Sequence, residues 1–406
     1  MVLNLADYAD LDITVFCSPG AQFGSNEYQL AIERYFADWK PKTLNFVYVK
    51  YGPISRFVTA INKRLFGSLS GIGLPLLYYF SYRLWQDKVA RIIKKIDRNS
   101  RFDCLHLLTQ ITYRQPGKFY KLGIPFLWGP TGGSETLPVS FIASLPSRLM
   151  IGELARYFLS IAAHYFFIRT RNAAKEASIV YAFSESDHDF FTNYTVTKKM
   201  VDASCSNKKM AIREKGLGEK LEVIWIGQIT GRKLPFLILD LMKDNRDLEN
   251  EVNFTILGGG IGKPKLIEAL AESNIKNIKI CDQIPHHEVE AMMLKSHFLL
   301  HTSYREAGTH IIPEALSTGL PVMCHGIGGL NFIIDESNGF KVDLVSYSNS
   351  IDAFAAIIKQ VLGDPSTLAS KSKGAIEYSD IHSWKNMAKL FRDDYVDIKC
   401  GKNDAR

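Results

Sequence analysis

Residues 298–324 read Phe298-Leu-Leu-His-Thr-Ser-Tyr-Arg-Glu-Ala-Gly-Thr-His-Ile-Ile-Pro-Glu-Ala-Leu-Ser-Thr-Gly-Leu-Pro-Val-Met-Cys324, and their order decides the fold. Phe298 to Thr302 is an apolar strand and Pro321 to Cys324 is another. Between them a loop opens into a helix, so the unit is strand, loop, helix, strand. Glu306 falls in the loop at the carboxyl end of the first strand, where open α/β sheets bind ligands. Glu314 follows about two helical turns later, so both carboxylates can face one cleft. Gly308 and Thr309 lie between them, and backbone N–H groups left free at a helix entrance suit phosphate or sugar oxygens.

Outward from this unit the pattern repeats. In the second half the strands are Leu221 to Ile226, Asn253 to Leu257, Ile278 to Cys281, Phe298 to Thr302, Pro321 to Cys324 and Gly339 to Val342. In the first half they are Asp12 to Cys17, Leu44 to Val49, Cys104 to Leu108, Pro125 to Trp128 and Ser178 to Phe183. Helical stretches separate several of them, as at 26–39, 264–272, 287–294 and 383–396, which predicts βα units and parallel sheets. A polar, lysine-rich stretch without periodicity divides the halves. The expected organisation is a Rossmann-like domain over 1–194, a linker over 195–220, a second Rossmann-like domain over 221–375 and a last helical segment over 376–406.

Bulk properties exclude several classes. A chain of 406 residues exceeds one ordinary core, and 46% hydrophobic with 22% charged residues is a globular composition. The net charge of +7 is not gathered into a stripe interleaved with aromatics, which argues against nucleic acid. It fits anionic small molecules or an anionic membrane surface. The six cysteines are scattered without metal-ligand spacing, which reads as inert thiols in a reducing cytoplasm. No secretory signal is read at the start of the sequence, and the uncharged stretch 65–82 is broken by Gly67, Gly71, Gly73 and Pro75, so it is a poor spanning helix. Two aromatic stretches with basic residues, 76–85 and 155–169, read either as core-facing helices or as a face lying on a bilayer.

Glycine loops follow several strands. Gly227 and Gln228 precede Arg232 and Lys233, and the lysine can reach an anion at the sheet edge or simply be a solvated charge at a helix start. Gly258, Gly259 and Gly260 either admit a ligand close to the backbone or form a plain turn. Gly326 to Gly329 is similar, and in the first half so are the loop 18–25, with Gly24 and Ser25, and the loop holding Gly132 and Gly133. His106, in an apolar strand, reads from pattern alone as a core histidine. His286 and His287 read as surface loop residues, and His310 lies near the Glu306 loop.

Together these residues resemble the retaining glycosyltransferases of family 4, which have the GT-B fold, α/β with two doubly wound Rossmann-like domains facing a cleft. The family's two glutamates eight positions apart match Glu306 and Glu314, and its Glu-Ala-x-x-x-Gly-x-Pro-Val matches Glu314 to Val322. Gly227 to Lys233, Gly24 to Glu27 and Trp128 to Gly133 extend the likeness over most of the chain. The resemblance implies that Glu306 holds donor-sugar hydroxyls and Glu314 the nucleotide ribose. Lys233 would pair with the diphosphate, with Arg232, Gln228 and the N–H groups of Gly308 and Thr309 assisting. It places base contacts at Gln283 and Ile284, and makes His106 a cleft residue. It further implies a hexosyl transfer without a metal or other cofactor, from a nucleotide-sugar to a glycan or lipid-linked acceptor in lipopolysaccharide or exopolysaccharide synthesis. The enzyme would be cytoplasmic, peripheral to the inner face of the membrane. Four positions depart from the family. Gln228 stands for an arginine, Ala307 and Thr309 for glycines, and Ser25 for a glycine. A non-catalytic nucleotide- or glycan-binding relative and a nucleotide-sugar epimerase on the same fold are the alternatives. The donor sugar, the acceptor, the linkage and the oligomeric state are not legible.

Overall fold

Parallel strands buried on both faces need continuous apolar runs, and the strands of the second half have them. The computed structural model describes all residues except 21–24, 67–73, 110, 167, 202–209, 215, 217, 307 and 402–406, with only the backbone course of 148, 159 and 162–166. In chain order the elements of the first half are α1 (Val2–Ala6), β1 (Ile13–Cys17), α2 (Glu27–Tyr35), β2 (Leu44–Tyr48), α3 (Pro53–Phe66) and α4 (Pro75–Asp97). Then come β3 (Leu105–Leu107), β4 (Phe126–Thr131), α5 (Val139–Ser144), α6 (Ser147–Phe166), α7 (Ile168–Glu176), β5 (Ala177–Ala182), α8 (Glu185–Thr192) and β6 (Thr197–Lys199). The second half holds β7 (Leu221–Ile226), α9 (Phe236–Asp244), β8 (Val252–Leu257), α10 (Lys263–Ser273), β9 (Ile278–Cys281), α11 (His286–Leu294), β10 (Phe298–His301) and α12 (Ile311–Ser317). It ends with β11 (Val322–His325), α13 (Leu330–Ile333), β12 (Gly339–Val342), α14 (Tyr347–Gly363), α15 (Ser366–Ile381) and α16 (Trp384–Lys399).

The second half is a parallel sheet in the order β12-β11-β10-β7-β8-β9. Its order reverses between β7 and β10, so the carboxyl ends of these two adjacent strands frame the crevice where doubly wound sheets take ligands. Phe298, Leu299 and Leu300 of β10 are fully buried, each contributing about 2 kcal/mol of hydrophobic stabilisation. The first half carries a parallel four-stranded sheet, β3-β4-β5-β6, and a separate parallel pair, β1-β2. The molecule is thus α/β with parallel sheets in two Rossmann-like domains.

Two features differ from the sequence reading. Thr197–Lys199, expected in the linker, is instead the edge strand β6, paired with Val180 to Ala182. Three polar residues at an edge carry no apolar run, so only pairing reveals the strand. The second difference lies around α5, within the span expected of the first domain. Leu137, Phe141, Ile142 and Leu145, around α5, join the core of the second domain. In return, Met387, Ala388 and Phe391 of α16 pack with Leu127, Ile179 and Tyr181 of the first sheet. Asp394 of α16 accepts a 2.6 Å hydrogen bond from the Tyr181 hydroxyl and pairs with Lys198. Among the described residues no helix is long and apolar enough to cross a membrane.

Candidate active site

The chain leaves β7 at Ile226 and makes a short 3-10 turn, Gly231–Lys233, ended by Leu234 in a left-handed conformation (φ 45°). A leucine rarely adopts that region, and the surroundings impose it here. The Thr302 hydroxyl donates to the Lys233 carbonyl at 2.6 Å and lies 3.1 Å from that of Leu234, and it accepts from Trp225 Nε1 at 2.9 Å. The Tyr304 N–H and the Ser303 hydroxyl each donate to the Arg232 carbonyl at 3.2 Å. His325, at the end of β11, ties the Ser303 carbonyl to Ser350 of α14. These bonds fasten the turn after β7 to the loop after β10, so that Arg232, Lys233 and Glu306 meet.

Lys233 Nζ and Arg232 Nη1 both pair with Glu306 Oε1, the arginine at 2.9 Å. Lys233 and Glu306 are each only 8% exposed. His301 Nε2 lies 3.5 Å from the same oxygen and is a buried ring nitrogen without a hydrogen-bond partner among the described residues. At that distance the contact is a weak one between charge and dipole. Burial alone would raise the Glu306 carboxyl, but the His301 ring and the Lys233 and Arg232 cations outweigh it and hold it well below the usual carboxylate range. Burial lowers Lys233, against the pull of Glu306. Burial likewise lowers His301, so its ring is neutral at neutral pH. Two cations thus meet one anion beside a neutral ring. The cluster carries one net positive charge, at a sheet edge where low dielectric strengthens its hold on an anion.

Glu314, on α12, is partly buried, and its Oε1 lies 3.2 Å from His286 Nε2 at the start of α11. The loop 282–285 leading to His286 brings exposed Gln283 and half-buried Ile284 to this side of the sheet. Helix α12 begins at Ile311, so Gly308 and Thr309 lie in the loop before it, both half-buried. Gln228 is exposed, its carbonyl accepting from the Thr230 hydroxyl.

The opposite wall joins Gly328, from the glycine loop 326–329, to Glu135, which sequence reasoning did not select. Gly328 adopts φ +48°, and a Cβ there would collide with the Glu306 carbonyl oxygen, so glycine is what lets the two loops touch. The Gly328 N–H donates to Glu135 Oε1 at 3.0 Å. Burial pushes the Glu135 carboxyl up to about 7, with Asp187 and Glu185 adding to the rise and the Gly328 N–H opposing it. Next to Glu306, Arg305 makes a two-oxygen contact (2.8 and 2.6 Å) with Glu153 of α6, which also accepts from the Tyr304 hydroxyl at 3.2 Å. His286, Glu135 and Glu153 stand far apart in sequence from the residues they serve, whereas His301 and Arg305 lie within a few positions of Glu306. The one local signal was the histidine closing an otherwise apolar strand.

Other expected positions are placed differently. His106 packs beneath α16, its nitrogens engaged by the Tyr395 hydroxyl at 2.7 Å and the Gly129 carbonyl at 2.9 Å, and burial lowers it to about 3. Its partners are thus structural, as the apolar strand pattern suggested. Gly258 and Gly260 approach the backbone of Gly227 and Ile229, and Ile229 N–H donates to the Gly259 carbonyl at 2.8 Å, so this loop packs on the protein's own chain. The Gly132 N–H donates to the Ile111 carbonyl at 2.6 Å, and Gly133 is exposed. Ser25 precedes α2, and Gly24 and Ala307 lie outside the described residues.

Residues 207–378 match the model of the family "Glycosyl transferases group 1". The D-inositol 3-phosphate glycosyltransferase of Corynebacterium aurimucosum is 24% identical over 184 residues, 43% of this chain and 42% of that protein. The chain spans about half the length of the curated relatives it matches. Solved structures align over almost the whole chain. Sucrose-phosphate synthase from Thermosynechococcus elongatus has TM-score 0.61 at 14% identity, covering 96% of this chain and 99% of that one. Anabaena Alr3699/HepE in complex with UDP and glucose has TM-score 0.54 at 13% identity, covering 95% and 99%. The chain therefore has the GT-B fold, and its residues 207–378 carry the sequence pattern of the group 1 glycosyl transferases.

Proposed function

We propose that this protein is a retaining glycosyltransferase that moves a sugar from a nucleotide-sugar donor to a glycan or lipid-linked acceptor of the cell envelope. The pathway is lipopolysaccharide or exopolysaccharide synthesis at the cytoplasmic face of the membrane, with no metal or separate cofactor. One observation carries the reading: buried Lys233 and Glu306 with half-exposed Arg232, a net-positive cluster at the carboxyl edge of the donor-side sheet. The UDP and glucose held by the Anabaena relative support a diphosphate-linked donor. The first domain binds the acceptor and the second the donor.

In this reading the donor diphosphate lies against Lys233 and Arg232, and Glu306 accepts hydrogen bonds from the sugar hydroxyls. Glu314 holds the ribose, oriented by His286. Gln283 and Ile284 meet the base, and Gly308 and Thr309 offer N–H groups to phosphate oxygens. As the bond from the anomeric carbon to the phosphate oxygen breaks, negative charge grows on the departing nucleotide, where the two fixed cations need no reorganisation to stabilise it. The acceptor oxygen bonds to the anomeric carbon on the same face, and its proton passes to the leaving phosphate.

A panel of nucleotide-sugars, read by release of the nucleoside diphosphate, tests the assignment. Glu306→Gln should lower turnover by roughly a hundredfold while nucleotide affinity changes far less. Transfer and nucleotide binding that both survive in a Glu306→Ala, Glu314→Ala protein would sink the assigned site.

A further inference from the structure

Helices α3 and α4 form an antiparallel hairpin with inverted polarity. Its seam is polar and buried. Ser55 and Ser81 exchange hydroxyl-to-carbonyl bonds at 3.2 and 3.0 Å, Thr59 donates to the Ser81 hydroxyl at 2.9 Å, and Asn62 bonds both the carbonyl and the N–H of Leu74. The outer face is apolar. Ile54, Phe57, Ile61 and Leu65 recur at helical spacing on α3, and Phe57 and Leu65 are 67% and 63% exposed. On α4, Leu76 is 84% exposed and Phe80 48%. In water this arrangement is costly, because the apolar stripe has no cover among the described residues.

The base of the hairpin is rooted. Trp85 Nε1 donates to the Val49 carbonyl at 2.7 Å and the Tyr82 hydroxyl to the Thr109 carbonyl at 3.1 Å, with both side chains in the core of the first domain. Leu65 and Leu76 lie at the other end. Charge identifies the occupant. Residues 51–86 contain no Asp or Glu, and hold Arg56, Lys63, Arg64 and Arg83. Two copies docked by this face would oppose cation to cation, whereas an anionic lipid surface complements both the stripe and its charge.

We infer that the α3–α4 hairpin is a membrane-docking element that sinks Phe57, Leu65 and Leu76 into the interface of an anionic bilayer while its arginines meet the headgroups. This deepens the membrane contact within the proposed function by naming its surface, yet it rests on the hairpin alone, so it stands or falls apart from donor binding.

Cosedimentation of the full chain with phosphatidylcholine vesicles, with and without phosphatidylglycerol, tests it. Binding should favour the anionic vesicles and weaken with salt. Leu65→Ser with Leu76→Ser should lower it about tenfold or more, and Arg56→Gln with Arg64→Gln should remove the preference for anionic lipid. Nucleotide affinity, measured on the same proteins, should not change. A Phe57→Trp protein adds an independent reading, since brominated lipid should quench its fluorescence beyond that of the parent. Unaltered vesicle binding in the Leu65, Leu76 variant, or no binding to either vesicle, overturns the proposal. So does a concentration-dependent dimer, or capture of an acidic protein, that those substitutions abolish in place of vesicle binding.

Discussion

Lys233 has little water around it and an arginine for a neighbour, and both facts bear on when it is charged. Burial leads the lowering of its pKa, so its ammonium is lost at a lower pH than that of an exposed lysine. Affinity for a nucleoside diphosphate should therefore fall as pH rises toward the ordinary lysine range, and calorimetric titration across that range would show it. Arginine keeps its charge there, so Lys233→Arg should flatten the profile whatever it does to absolute affinity. Glu306 behaves in the opposite sense. Its folded-state pKa lies below the unfolded one, so its contribution to stability is present above the unfolded value and is lost as pH falls toward the folded one. Arg232, Lys233 and Glu306 were readable in the sequence because each follows a visible strand end. His301 was not, since an apolar strand with one terminal histidine looks the same whether that ring points into the core or beside a carboxylate.

At the level of loops and strands, the apolar runs located the described strands of the second sheet to within about a residue or two. They failed where pairing without hydrophobicity makes the element, as in β6, and where a glycine serves the protein's own backbone, as at Gly258. Gly328 is the loop residue with the most at stake. Its positive φ and the Glu306 carbonyl beside it leave no room for a methyl group. Gly328→Ala should cost about 1–3 kcal/mol and move the Glu306 loop with it. The expected result is a lower thermal midpoint together with weakened turnover. A change in stability alone would mean that the loop absorbs the methyl without moving Glu306.

Across the molecule, the halves are stitched by contacts that no local pattern announces. Glu135 reaches Gly328 across 193 positions, and Arg305 reaches Glu153 across 152. Glu135 is pushed up to about 7, so between the unfolded value near 4.5 and that figure the folded protein binds more protons than the unfolded chain. Stability should fall as pH rises through this window, and Glu135→Gln should remove that part of the slope in urea titrations at successive pH values. Phe391, fully buried against the first sheet, carries the other crossing. Phe391→Ala should cost about 3–5 kcal/mol, seen as an earlier unfolding transition.

Because α5 completes one core and α16 the other, the units of packing are not the units of sequence. A hybrid made by joining the first 200 residues, in round numbers, to a relative's second half would cut through both interiors at once. It should aggregate. A hybrid that keeps this chain's α16 with its first sheet, and brings the relative's counterpart of 137–157 along with the foreign second half, should stay soluble. For anyone recombining halves on this scaffold, the seam to follow is the one drawn by Phe141 and Phe391.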